Sequence, residues 1–167
     1  MNAKCVGNPF VLIVISIIQI ALAQGQIAKL MIETEKKIDL LSAISLMSTS
    51  KIHKDLKLSD IDRLIAAPIA LGQYRLWFID GWPVCYSSWG YLSPEARDRH
   101  LARAGLVRAA DWNSGDELWF MDFIAPFGNV QKYVRDLYKQ FPMHKIAFTS
   151  RSYGTGKVQR LGSYRNV

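Results

Sequence analysis

Residues 117–124 read ELWFMDFI, and the chain continues with Ala125-Pro126-Phe127-Gly128. Strand side chains alternate, so Glu117, Trp119, Met121 and Phe123 share one face, and Leu118, Phe120, Asp122 and Ile124 the other. Both faces are apolar around a single carboxylate, Asp122. A strand of this kind must be covered on both sides, which puts it at the centre of a sheet with flanking helices. The expected fold class is therefore α/β (α+β), a single domain with a mixed sheet.

The neighbouring segments supply the rest of such a domain. Glu33 to Met47 has helical spacing, with Ile38, Leu41, Ile44 and Leu46 apolar. Residues 61–71 form an apolar stretch in which Pro68 should end or kink a helix. Strands near 73–79 and 84–90 flank the turn signal Asp80-Gly81-Trp82-Pro83. Ser93-Pro94 opens a helix that should stop at Gly105. Residues 111–116 read as a polar loop. Asn129 can cap a helix over 130–141, with Val130, Tyr133, Val134, Leu137 and Phe141 on one apolar face, ended by Pro142. A strand follows at 146–149, then a Gly154-Thr155-Gly156 turn and a short tail.

The charge is unevenly spread. The net charge of +7 lies wholly in residues 128–167, which hold eight basic side chains and the one acidic Asp136. A basic stretch of this kind suits an anionic partner or a solvated surface. No nucleic-acid-binding motif accompanies it, and no nucleic acid is expected as a partner. Cys5 and Cys85 match no disulfide or metal spacing, and histidines 53, 100 and 144 are scattered, so no metal site is expected.

From Cys5 to Ala28 there is no charged residue, and residues 10–22 are strongly apolar. Three readings fit: a signal peptide with Ala21-Leu22-Ala23 at its end, a membrane anchor, or an over-extended start.

A carboxylate between apolar faces needs a partner or must be neutral. One reading of Asp122 is structural, bonded to backbone or to a tyrosine. The other is functional, with a partner titrating near neutrality, for which His53 in SKIH is the best placed. His100 reads as solvated within its helix, and His144 as a loop residue. Cys85 reads as a small buried hydrophobe rather than a nucleophile. The GTGK segment lacks the Walker spacing. APFGN stands where a coenzyme A pyrophosphate loop would follow the central strand.

Taken together, SKIH at 50–53, PIALGQY at 68–74, PVCYSSW at 83–89, DWNSGDELWFMDFIAPFG at 111–128 and GKV at 156–158 resemble the RTX toxin-activating lysine acyltransferases, the hemolysin-activating type. The resemblance covers about 41–160. It implies a fold similar to the GCN5-related N-acetyltransferases. It implies transfer of a fatty acyl group from acyl carrier protein to the ε-amine of internal lysines of an RTX protoxin. No bound cofactor is implied, since acyl-acyl carrier protein is the donor. The family's functional pair falls on His53 and Asp122, and Ser50 falls in its site region as a substrate-binding residue. The chain departs from the family after His53, where Asp55, Leu56 and Lys57 replace a Trp-Pro pair. Lys132, Arg135 and Lys139 would dock the acidic carrier protein. The domains would be a hydrophobic extension over 1–30 and an acyltransferase domain over 31–167. The family function implies a cytoplasmic protein starting near Met31, with membrane contact through residues 10–22 and a homodimer both left open. The contrasting reading is a non-catalytic binding protein for acyl carrier protein or protoxin.

Overall fold

The computed structural model describes residues 9–51, 53, 57–102, 108–144, 146–151 and 160–165. The chain divides into two units, Met1–Ile38 and Asp39–Val167. The first unit is helical from Pro9 onward, as part of helix α1 (Pro9–Thr49). The helix therefore starts well before Glu33 and takes in the apolar run as well as the amphipathic segment. Among the described residues, no helix is long and apolar enough to cross a membrane.

The second unit is built on a five-stranded sheet in the order β1-β2-β3-β4-β5. Its strands are β1 (Tyr74–Ile79), β2 (Trp82–Leu92), β3 (Glu117–Ile124), β4 (Ile146–Arg151) and β5 (Arg160–Arg165). The first three form an antiparallel meander, β3 pairs with β4 in parallel, and β4 pairs with β5 antiparallel. The doubly apolar strand β3 is the central one, as its sequence requires. Helices α2 (Leu58–Ile61), α3 (Ala67–Leu71), α4 (Pro94–Ala102) and α5 (Val130–Tyr138) complete the unit.

One sheet face is covered by α1 and α3, where Ala43, Leu46, Met47, Ile65 and Ile69 pack on Tyr86 and Ile124. Further along the same face, Ala96 of α4 packs with Leu92, Trp112 and Trp119. The opposite face is covered by α5, whose Leu137 and Tyr138 pack with Trp89, Leu118, Phe120 and Ala147.

The hairpin turn is shorter than expected. Asp80 and Gly81 have φ of 49° and 80°, the mirror-image conformation that matches strand twist. Trp82 and Pro83 already belong to β2. Pro83 lies beyond the last β3 partner, Tyr86↔Ile124, so its missing N–H breaks no ladder there. Pro68 does not end its helix. A π turn over Asp62–Ala66, with the Ala67 N–H bonded to the Asp62 carbonyl, precedes it and absorbs the bond that proline cannot donate.

Four further expectations are corrected. Asn129 stands at the N-cap of α5 in the left-handed region, but its side chain makes no cap bond. The helix stops at Tyr138, before Pro142, although Phe141 is still buried. Within 111–116 a polar loop is found for Asn113, Ser114 and Asp116, which are exposed, but not for the first two residues. A 3₁₀ turn, Ala109–Trp112, buries Asp111 and Trp112, and Asp111 binds Arg99 at 2.6 Å. Gly115 is needed here, because a Cβ would lie 2.6 Å from the Leu92 carbonyl and from the Ser93 Cα. The fourth correction is β5, read as tail. The expected stop at Gly105 and the turn at 154–156 lie outside the described residues.

Candidate active site

The first positioning device is the end of α1. Its last carbonyls are drained by Ser48 Oγ to Ser45 O and Thr49 Oγ1 to Leu46 O. The Ser50 N–H then bonds the Met47 carbonyl, and the His53 N–H bonds the Ser50 carbonyl. This tight turn hangs His53 from a helix end whose Ala43, Leu46 and Met47 are locked into the core.

The second device is a bulge in β3. Ser88 pairs with Asp122, but Trp89 pairs with Phe120, so Met121 is an extra residue on β3. One inserted residue reverses the alternation beyond it. Asp122 therefore leaves the face of Leu118 and Phe120 and joins that of Trp119, beneath α1 and α3. Strict alternation predicts the other face, and the bulge is the reason it fails.

These two devices bring the candidates together. The His53 Nε2 lies 2.8 Å from Asp122 Oδ1, and the Ser50 Oγ lies 2.7 Å from His53 Nδ1. A carboxylate only accepts, so Nε2 carries the proton in this bond and Nδ1 of the neutral ring accepts from the Ser50 hydroxyl. The Phe123 N–H also bonds Asp122 Oδ1, at 3.0 Å. Both side chains are mostly covered, with 12% of His53 and 14% of Asp122 exposed.

Burial alone would lower the His53 pKa. The hydrogen bond and charge of Asp122 outweigh it and hold the imidazole above its ordinary value. The result is a histidine of raised basicity, oriented at one nitrogen by a carboxylate and touched at the other by a hydroxyl. Such a ring can accept a proton at Nδ1 and return it to a leaving group.

The other candidates separate clearly. Cys85 is fully buried and its thiol is pushed up to about 12, which leaves it inert at neutral pH. His100 is not solvated: it packs edge-on against Trp119 at 5.7 Å, and burial lowers its pKa. His144 sits in a turn against Tyr91 and Phe141. Lys132 and Arg135 are exposed on α5, and Lys139 is exposed at its C-cap. Asp136 of the same helix accepts from the Trp77 Nε1 at 2.8 Å and pairs with Arg75 at 2.7 Å, clasping α5 to β1. These cations thus stand behind the sheet, on the face opposite His53 and Asp122. Among the described residues, no cluster of side chains could hold a metal ion.

Sequence reading missed Ser88 and Tyr86, which flank Asp122 on the same face. Both are fully buried. The signal was a polar Ser-Ser pair inside an otherwise buried strand.

Comparison with known proteins identifies the family. Residues 33–165 match the RTX toxin acyltransferase family. The chain is 32% identical over 117 residues to the RTX-II toxin-activating lysine-acyltransferase of Actinobacillus pleuropneumoniae, covering 68% of this chain and 72% of that one. It is 34% identical to a protein-lysine myristoyltransferase of Kingella kingae, covering 73% and 74% of the two chains. It is 37% identical to a protein-lysine myristoyltransferase of Escherichia coli, covering 64% of this chain and 62%, under two thirds, of that relative. The match over residues 33–165 makes this chain a member of the RTX toxin acyltransferase family.

Proposed function

We propose that the protein transfers a fatty acyl group from acyl carrier protein to the ε-amine of internal lysines in an RTX protoxin, and so activates it. The observation that carries this reading is the Ser50–His53–Asp122 chain of hydrogen bonds. The names of the relatives support the lysine and the toxin as acceptor. The acidic carrier as donor rests on the basic surface and on the chemistry of a thioester.

The acceptor lysine arrives as an ammonium and must lose a proton before it attacks. His53 Nδ1 takes that proton, after the amine displaces the Ser50 hydroxyl or through it. The amine nitrogen then bonds to the thioester carbon. The carbon–sulfur bond of the tetrahedral intermediate breaks, and the proton on His53 passes to the departing thiolate. The nitrogen, which carries an extra proton once it has bonded to carbon, loses that proton to solvent as the amide forms, so the products are an amide, a free thiol and one proton released. Asp122 holds the ring in one tautomer and balances its charge while it is protonated.

The direct test is the intact mass of a protoxin co-expressed with this protein. Addition of a fatty acyl mass at lysine supports the reading. An unmodified protoxin that still binds the protein would make it a binding protein instead.

A further inference from the structure

Tyr74, Ser88 and Asp122 form one row across the sheet. Tyr74 of β1 pairs with Ser88 of β2, and Ser88 pairs with Asp122 of β3. Directly paired residues share a face, so Tyr74 and Asp122 both look toward α1. They stand two strand spacings apart, about 10 Å.

The C-terminal part of α1 crosses this row. At the β1 end, Asp39 accepts a hydrogen bond from the Tyr74 hydroxyl. At the β3 end, His53, hung from the turn after Thr49, bonds Asp122. Helix from Asp39 to Thr49 rises about 15 Å, enough to reach from one end of the row to the other. Between the two bonds, Ala43, Leu46 and Met47 pack on Tyr86 and Ile124. That contact holds the helix down, but apolar burial has no direction. A hydrogen bond has one, and it weakens steeply when misaligned. The Asp39–Tyr74 bond therefore sets how far the helix slides along its axis and how it is rotated. The Tyr74 ring is already placed by stacking on Tyr86 at 6.4 Å, with the planes 25° apart. A phenylalanine would stack as well, so the hydroxyl adds direction rather than bulk.

We propose that Asp39 and Tyr74 are positioning residues, which fix α1 on the sheet so that the His53 imidazole arrives at Asp122. They act through the helix and not on the substrate. A misplacement of about 1 Å at a reacting group can cost on the order of 10²-fold in rate, which gives a bond at the far end of the row its leverage. The ring itself reports the placement. Asp122 raises the His53 pKa through a hydrogen bond and its charge, and both weaken as the ring drifts away, while burial keeps pulling the value down. The charge that acts on the ring is that of Asp122, not that of Asp39.

The inference rests on His53 as the base, yet it has a readout independent of transfer. The His53 imidazole is titrated by NMR in the full-length protein and in Tyr74→Phe, Asp39→Ala and Asp39→Asn, with melting temperature and transfer measured alongside. Tyr74→Phe and Asp39→Ala should each move the titration down by about half a pH unit, a part of what Asp122 supplies. Turnover at saturating protoxin should fall about tenfold with KM unchanged. Asp39→Asn keeps an oxygen that accepts from the tyrosine, so titration and turnover should stay in place. Tyr74→Phe and Asp39→Ala together should move the titration no further than either alone, since both break one bond. A lower melting temperature with an unmoved titration would make the bond merely structural and overturns the proposal. So does an Asp39→Asn shift equal to that of Asp39→Ala, which would trace the effect to charge. A rise in KM with unchanged turnover overturns it as well. If Tyr74→Phe does not fold, Asp39→Ala, at a half-buried site, decides alone. If the parent protein transfers no acyl group, the functional reading fails, while the titrations still decide the placement of His53.

Discussion

Asp122 meets His53 at 2.8 Å across 69 residues of chain, and Met121 makes the meeting geometrically sound. As the extra residue of β3, Met121 puts Asp122 on the face that α1 covers, where the turn after Thr49 delivers the imidazole. The site is thus made by two local irregularities, a helix end and a bulge, on an otherwise regular sheet.

His53→Ala should reduce acyl transfer by about 10²–10⁴-fold, the usual worth of a positioned base. The ring lies at the edge of the core rather than within it, so the fold should survive. Transfer rate and thermal melting measured on the same preparation separate the two effects. A folded variant with parental turnover would remove His53 from the mechanism.

Asp122→Asn keeps the volume but not the charge. With the carboxylate gone, only burial acts on His53, and its pKa should fall below the ordinary value of about 6.5 instead of rising above it. Transfer should drop sharply at every pH. An imidazole titration that stays raised in this variant would show that some other group holds the proton.

The raised His53 pKa also fixes the pH behaviour of the parent. Transfer needs the neutral ring, so the acid limb of the rate profile should lie above about pH 6.5. Stability runs the opposite way. The folded protein binds this proton more tightly than the unfolded chain, so the pair's contribution is complete below about pH 6.5 and is lost as pH rises through the folded value. Urea melts should therefore find Asp122→Asn more destabilised, relative to the parent, at pH 6 than at pH 9. An equal difference at both pH values would contradict the pair's ionic character.

Gly115→Ala should destabilise by about 1–3 kcal/mol, because the added methyl meets backbone atoms that cannot rotate away. The check is a denaturant midpoint. An unchanged midpoint would mean that the Leu92–Ser93 backbone moves aside at no cost.

Docking of the acyl carrier should weaken with salt and with charge reversal at Lys132, Arg135 and Lys139. These side chains lie across the sheet from His53, whereas Lys51 and Lys57 are exposed on its own side. Affinity that falls with salt but ignores the three reversals would move the docking surface to Lys51 and Lys57.

Much of this was legible in the sequence because it rests on simple periodicity. The doubly apolar run at 118–124 fixed β3 at the centre, and the lone carboxylate within it marked the site. Its face was misread, since a bulge leaves no mark on the hydrophobic pattern: Met121 is as apolar as its neighbours. Strand β5 was missed because RLGSYR lacks an apolar alternation and pairs with β4 alone. The burial of Asp111 at the head of DWNSGD was not legible, because its partner Arg99 lies twelve residues away. Ser88 could not be singled out before β2 and β3 were set in register.

The most direct test is a purified reaction of acyl-acyl carrier protein, an RTX protoxin and this protein, followed by peptide mass mapping. Acyl groups should appear on protoxin lysines with the parent protein, and be absent at matched times with His53→Ala and Asp122→Asn. Equal lysine acylation by all three proteins would contradict the assignment of the pair to acyl transfer.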